Sequence, residues 1–486
     1  MAGLLYFLGV LVGIMATAMV FPALVAFSAG ETGYATVFLV SMALGIFVAG
    51  GLISGLHGRE RRLKRAESLI LIILIWVLAP IFGAFPMALT GGSEDLLIAY
   101  FESVSAFTTT GATALGPADT LPRSMILWRA LLQWIGGGVT LLSIVLILAP
   151  ARIGGTPDST LTAIESGGRT ERARVGGTAM RILPLYAALT AACLVLLAAS
   201  GIPAFDAVCL ALSTLSTGGL APRDGGLGIY NSMAAEAIVG AFMFAGATSI
   251  IWHRMVFWRR WSSLSKHREA YWMALGVAGL GAFFAVGFFL GIDGPSGLNI
   301  ADSAWKGAIT AISVISTTGI EVREGGFGAI SMPLLAAALM LGGAGFSTAG
   351  GIKFFRLGAM LKQAHGEVRR LIYPHGIRSA HFGSQPYDLQ LMKAIWTGAM
   401  AYLGAVATVF MLLTLLGHGF ESSLMAAVSA VANAGPVYTS MASANNWMAF
   451  GQMPQLDLML LASAMIVGRL EVLALFALLN PLYWRS

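Results

Sequence analysis

The sequence predicts an all-α polytopic membrane protein of about ten transmembrane helices, with four short helices that enter the bilayer and turn back. Three observations carry this. Apolar residues (AVILMFWYC) make up 57% of the 486 residues, charged residues only 11%, and mean hydropathy is +0.80. Soluble domains carry about 25% charged residues. Basic residues cluster in alternate loops. A short motif recurs four times in one register.

The spans follow in order. About 20 apolar residues cross a bilayer as a helix, and such stretches lie near 4–28, 34–55, 68–90, 124–149, 180–200, 232–252, 271–291, 330–352, 391–416 and 455–482. Met1 to Ala29 lacks a basic start, and its apolar run exceeds a signal-peptide core, so it reads as a retained first helix. Between spans sit semi-apolar pieces near 96–113, 204–219, 301–319 and 420–435, too short or too polar to cross.

Charge orients these spans. Arg59, Arg61, Arg62, Lys64 and Arg65 follow the second span; Arg152, Arg169, Arg172 and Arg174 the fourth. Arg254, Arg259, Arg260, Lys266 and Arg268 follow the sixth, and Lys353, Arg356, Lys362, Arg369, Arg370 and Arg378 the eighth. By the positive-inside rule these loops are cytoplasmic. Both termini are then cytoplasmic, and all four short pieces lie on the outer side. The same loops account for the net charge of +6. Composition excludes a water-soluble enzyme and disordered, coiled-coil or nucleic-acid-binding chains. Cys193 and Cys209 fall in or beside apolar segments and indicate neither a disulfide framework nor a metal site.

The short pieces align. Ser105 to Gly111, Ser213 to Gly219, Ser313 to Gly319 and Ser429 to Gly435 each place Ser six residues before Gly. Acidic residues open the stretches before them: Asp95, Asp206, Asp302 and Glu421. Such residues suit a helix N-terminus. Downstream, Arg223-Asp224-Gly225-Gly226 mirrors Arg323-Glu324-Gly325-Gly326, and Ser124-Met125, Ser232-Met233 and Ser331-Met332 open the next spans. The expected organisation is two N-terminal helices and a basic loop (1–66), then repeats at 67–152, 153–262, 263–380 and 381–486. Irregular backbone is tolerated in a membrane only where protein or a water-filled path surrounds it. Four such loops around one axis can replace a cation's hydration shell with backbone carbonyls. Glycine permits the backbone angles this needs. The helix before each loop aims its negative C-terminal end at the ion.

Thr108-Thr109-Thr110-Gly111, Ser216-Thr217-Gly218-Gly219, Ser316-Thr317-Thr318-Gly319 and Asn433-Ala434-Gly435-Pro436 resemble the four filter loops of the Trk/Ktr/HKT superfamily of cation transporters. Leu127 to Gly137 is similar to that family's first post-filter helix, and Gly342 to Lys353 to its intramembrane gating loop. The two extra N-terminal spans resemble the TrkH/TrkG branch. The fourth loop departs from the pattern: Asn433-Ala434-Gly435-Pro436-Val437 stands where Asn-Asn-x-Gly-Pro-Gly is more usual.

The resemblance implies potassium uptake across the inner membrane of a bacterium. It implies filter residues Thr109, Thr110, Gly111, Thr217, Gly218, Gly219, Thr317, Thr318, Gly319, Asn433, Ala434 and Gly435. Gly111, where a serine accompanies sodium permeation in the family, favours potassium. A homodimer and a cytoplasmic regulatory subunit of TrkA type are also implied. Nucleotide (ATP, ADP or NAD) is then expected only on that regulator, and this chain carries no cofactor. The rival reading is an alternating-access symporter coupled to sodium or protons, which binds substrate between inverted repeats. Repeats in one orientation favour a pore.

The residues themselves support a gate. Gly342, Gly343, Gly345, Gly350 and Gly351 weaken a helix by up to about 1 kcal/mol each, so the eighth span is expected to break into a polar flap carrying Ser347 and Thr348. Arg469, deep in an apolar span, is a functional candidate by default, read as an electrostatic barrier beneath the filter. Ser347 as a protease nucleophile lacks a base, since none of the seven histidines falls within an expected span. There is no P-loop. Arg129, one turn from Gln133, is expected to tie repeats together. Trp128, Trp134, Trp305, Trp447 and Trp484 read as interfacial anchors or packing residues. The basic stretches Arg152 to Arg181 and Lys353 to Lys393 read as topology signals or as a docking surface for the regulator.

Overall fold

The computed structural model describes residues 2–56, 65–90, 96–148, 171–259, 269–290, 299–322, 326–372, 381–382, 385–386 and 389–470. Asp95, Arg59, Arg152, Arg260, Lys266, Arg268, Arg323, Arg378 and Trp484 lie outside the described residues, as does the expected last span beyond Leu470.

The described chain is almost wholly helical. The N-terminal pair is α1 (Ala2–Ala18), continued after Met19 by α2 (Val20–Ser28), and α3 (Thr32–Gly55). The first repeat holds α4 (Arg65–Leu89), the short α5 (Leu96–Phe107) and α6 (Arg123–Ser143), the last extended by a π-helical turn, Ile144–Leu148. The second holds α7 (Glu171–Ala199), the short α8 (Ala204–Leu215), α9 (Met233–Ala247) and α10 (Ile250–Phe257). The third holds α11 (Glu269–Leu290), the short α12 (Ile300–Ile315), α13 (Met332–Met340) and α14 (Phe354–Ile372). The fourth holds α15 (Leu389–Leu415), the short α16 (Phe420–Ala432), α17 (Gly435–Asn445) and α18 (Gln455–Arg469). A two-residue β-hairpin pairs His381–Phe382 with Gln385–Pro386.

Among the described residues seven helices are long and apolar enough to cross a membrane, and an eighth span results if α9 and α10, bent by 105°, count as one. The expected span at 330–352 is not one helix. Its helical part ends at Met340, and the chain leaves it through the glycine-rich segment before α14 begins at Phe354. The expected span at 232–252 is likewise bent, since Thr248 is extended and breaks the helical hydrogen-bond ladder.

Burial follows the repeat plan. The spans α3, α7 and α11 keep large apolar residues exposed, among them Phe47, Met180 and Phe283, as lipid-facing helices must. The short helices are enclosed: in α16 every residue from Ser422 to Ala432 except Leu424 is buried. One apolar core runs through all four repeats, from Trp76 and Phe107 to Leu215, Val314 and Tyr438. It holds the four short helices at the centre of the bundle.

Candidate functional site

Local structure first explains the repeated spacing. All four short helices end in the same turn. Thr109, Thr217, Thr317 and Asn433 take left-handed backbone angles, with φ of 53°, 54°, 55° and 57°. The following amide donates back to the carbonyl of the motif serine: Thr110 to Ser105 (2.8 Å), Gly218 to Ser213 (2.8 Å), Thr318 to Ser313 (3.1 Å) and Ala434 to Ser429 (2.8 Å). The left-handed residue donates to the carbonyl three before it: Ala106, Thr214, Val314 or Ala430. This is the Schellman closure of a helix, in which glycine usually takes the left-handed position. Three β-branched threonines hold it here. Left-handed angles are unusual for β-branched residues. Such strain persists where surroundings over-determine it and is characteristic of functional sites.

The spacing of six to glycine follows. Two residues past the left-handed position the chain turns again, with φ of 78° at Gly111, 79° at Gly219 and 74° at Gly319. Gly435 does not adopt positive φ and instead begins α17. The serine hydroxyls reinforce three of the loops. Ser105 Oγ donates to Ala112 O (2.6 Å), Ser313 Oγ to Ile320 O (2.7 Å) and Ser429 Oγ to Ala434 O (2.8 Å).

The loops close into a ring. A Cβ on Gly111 would overlap the Gly218 carbonyl oxygen, and one on Gly219 the Thr318 oxygen. One on Gly319 would come within 3.2 Å of Pro436 and Val437. Gly435 N donates to Thr110 O at 2.7 Å, and Asn433 Nδ2 to Thr110 Oγ1 at 2.9 Å. Each loop thus touches the next, and the fourth returns to the first. Thr108 to Gly111, Ser216 to Gly219, Thr317 to Gly319 and Asn433 to Gly435 are all buried. No carboxylate stands within them, so the ring's oxygens are peptide carbonyls, hydroxyls and the Asn433 amide.

Residues beyond the loops hold the ring. Gln133 Nε2 on α6 donates to Gly218 O at 2.7 Å. Its helical pairing with Arg129 drew attention to it, but its contact with the second loop is legible only in the fold. Arg129 does not tie repeats together. Its Nε pairs at 2.8 Å with Glu102 of the same repeat, both fully enclosed, and Glu102 Oε2 accepts from Ala114 N at 2.9 Å. The arginine therefore braces the first loop on α5. An acid within a pore-type helix was the available signal. Beyond the second loop, Asp206 accepts from Arg223 Nε (2.7 Å) and Tyr230 OH (3.1 Å). Burial and this carboxylate push the Tyr230 phenol above its ordinary range. Asp224 receives the amides of Ala118 (2.9 Å) and Asp119 (3.1 Å), joining the segments after the first two loops.

The glycine-rich segment lies against this ring. It leaves α13 and returns beside its starting point, with Gly342 N donating to Ile352 O and Ile352 N to Met340 O, both at 2.8 Å. Gly342 to Gly350 are all buried. Gly343 packs against the Ala247 carbonyl so closely that a Cβ would fall 2.6 Å from its oxygen, and Ala344 N donates to that oxygen at 2.8 Å. Thr348 Oγ1 reaches Leu215 O (3.2 Å) at the end of α8 and Gly246 O (3.0 Å). Thr217 Oγ1 donates to Thr348 Oγ1 at 3.3 Å, and Gly350 N donates to Thr317 Oγ1 at 2.8 Å. A Cβ on Gly350 would overlap the Ala432 carbonyl at the end of α16. Gly351 turns the chain with φ of 67°.

Arg469, the last residue of α18, is buried and completes the contact. Its Nε donates to Thr108 O of the first loop and its Nη1 to Thr348 O of the glycine segment. The segment thus meets three of the four repeats directly and the first through Arg469. Ser347 Oγ donates to Ala344 O at 2.6 Å. That bond ties the hydroxyl within the loop and gives no histidine base. Among the described residues no cluster of three His, Cys, Asp or Glu could hold a metal.

Short helices whose carbonyl ends meet in a ring of oxygens, inside a bundle of membrane-spanning helices, define a membrane transport protein rather than an enzyme. The chain belongs to the TrkH family of cation transport proteins, whose profile matches residues 36–288 and 298–481. It is similar to the Trk system potassium uptake protein TrkH of Halomonas elongata, 31% identical over 503 residues that cover 99% of each chain. It is similar also to the Trk system potassium uptake protein TrkG of Escherichia coli, 27% identical over 93% of this chain and 92% of that one. The crystal structure of the potassium transporter TrkH from Vibrio parahaemolyticus matches it with a TM-score of 0.84 at 26% identity, covering 100% of this chain and 99% of that one.

Proposed function

We propose that this chain takes up potassium across the cytoplasmic membrane of a bacterium, by a channel-like route through the ring of four loops. The carrying observation is the fourfold identity of the turns: one left-handed residue at the same place in each loop, and contacts that close the circuit. The left-handed Thr109 and Gly111 flank Thr110, which is not left-handed, and the same alternation holds in the second and third loops. A ring of peptide and hydroxyl oxygens without carboxylates suits a monovalent cation stripped of water. The four helix C-termini add negative potential there. The names of the relatives support potassium as the ion.

In this reading the loop from Gly342 to Gly351 is the gate and Arg469 its electrostatic lock. Their contacts with all four repeats support that assignment. A cation entering toward an inside-negative potential gains about 2.3 kcal/mol per 100 mV, so this chain needs no ATP site to drive uptake. A TrkA-type cytoplasmic nucleotide-binding partner and a homodimeric arrangement complete the proposal, as does placement of both termini in the cytoplasm. The test is ion competition in proteoliposomes, potassium and rubidium against sodium, with single-channel recording. Strong preference for potassium and rubidium with resolved conductance is expected. A tightly coupled, non-conducting cycle overturns the channel-like route, and equal sodium uptake overturns the ion.

A further inference from the structure

The glycine-rich loop is held by two charged side chains, at two places. Arg469, which also reaches the first loop of the ring, takes the Thr348 carbonyl. The second is Glu269, the first residue of α11. Its Oε1 accepts from Gly345 N at 2.7 Å and from Phe355 N at 3.1 Å. Gly345 lies inside the loop, and Phe355 lies in the first turn of α14. A single carboxylate oxygen therefore joins three segments: α11, the loop and the helix that follows it. The first amides of a helix lack partners within the helix, and a carboxylate is favoured there by the helix dipole. Hydrogen bonds to an ionised acceptor are roughly twice as strong as neutral ones.

The surroundings are built for this contact. A Cβ on Gly345 would lie 3.1 Å from Cδ1 of Phe355 and 3.6 Å from the second Glu269 oxygen, so glycine lets the loop come up against the carboxylate. Lys353 and Arg356, on the chain that follows the loop, are buried as well. Among the described residues the hydrogen bonds of Glu269 go to Gly345 and Phe355 and not to the oxygen ring, and its helix packs chiefly on α12.

We infer that Glu269 is the latch of the gate: it seats the Gly342–Gly351 loop beneath the ring and sets how often the path opens, without touching the ion. This rests on the reading of that loop as the gate. Glu269 is in these terms a positioning residue, acting through the Gly345 amide.

The experiment compares rubidium uptake into proteoliposomes holding the full-length wild type, Glu269→Gln, Glu269→Ala and Arg469→Ala. Glu269→Ala is expected to raise the uptake rate at least about tenfold, as loss of bonds to a charged acceptor implies. Glu269→Gln keeps the shape and one acceptor oxygen, and is expected to raise it less. Rubidium-over-sodium preference stays as in wild type for both, a combination that a residue merely supporting the fold does not produce. Unchanged or reduced uptake in either Glu269 variant, with wild-type elution and melting, overturns the latch. Should Glu269→Ala fail to fold, Glu269→Gln alone decides by the same criterion. If Arg469→Ala raises uptake while the Glu269 variants do not, the latch falls and the gate stands. If none of the three changes uptake, the gate reading falls with it.

Discussion

Replacing Gly111 with serine is the sharpest probe of the oxygen ring. Gly111 sits at φ of 78°, and a Cβ there would overlap the Gly218 carbonyl oxygen and lie 3.1 Å from the Pro436 ring. Two costs follow. A non-glycine residue held in a sparsely populated region costs about 1–3 kcal/mol. Close-packed interiors leave no slack, so the Gly218 carbonyl, which Gln133 fixes at 2.7 Å, has to shift by about 1 Å to clear the new side chain. That carbonyl is one of the ring's oxygens, and in the proposed filter selectivity depends on their placement. At about 1.4 kcal/mol per tenfold, the cost corresponds to a fall in potassium-over-sodium preference of about fivefold to a hundredfold. The assay is rubidium uptake into proteoliposomes against graded sodium. Gly116→Ser serves as the control, because Gly116 also has positive φ (90°) but nothing lies within 4 Å of its Cβ position. A folded Gly111→Ser protein whose ion preference stays within about twofold of wild type refutes the reasoning. So does an equal loss in Gly116→Ser.

Other perturbations separate the gate from the ring and the ring from its supports. Arg469→Ala removes the bridge between Thr108 O and Thr348 O and is expected to raise rubidium flux; reduced or unaltered flux in well-expressed protein argues against the lock. Gly350→Ala places a methyl against the Ala432 carbonyl, so the loop no longer seats, and flux should change while the rubidium-to-sodium ratio holds. Glu102→Gln leaves Arg129 buried beside a neutral partner. Breaking an enclosed ion pair costs about 3–5 kcal/mol, so the melting temperature in detergent should fall clearly below that of wild type.

How much of this was legible beforehand depends on the range of the interactions. The four loops could be read because their signal is local. A serine in the last turn of the helix, a left-handed residue four further on and a glycine two beyond form one turn, repeated. The break in the eighth span was also legible, since five glycines within Gly342 to Gly351 oppose a helix. Hydropathy alone drew that stretch as one continuous span because glycine and alanine count as apolar. The left-handed threonines were not legible. Propensity assigns such angles to glycine, and only the ring's contacts override it. Arg129 was expected to tie repeats together, because nothing local marks its partner, Glu102, on the preceding short helix of its own repeat. Glu269 stands 76 residues from Gly345, a distance at which no periodicity speaks. The fourth loop, with Asn433-Ala434-Gly435-Pro436, departs in sequence more than in shape. Asn433 keeps the angle of the threonines and donates to both Thr110 Oγ1 and Met465 O, each at 2.9 Å.

The segment between α13 and α14 departs and rejoins at one pinch, where Leu341 pairs with Ile352 as a parallel bridge. Such a bight has a single root. Residues 343–350 hang from it as a single excursion between the two helices that carry it. With this segment as the proposed gate, switching conduction would demand no change in the protein's outline within the bilayer, and the work of opening would fall on a handful of bonds rather than on the surrounding lipid.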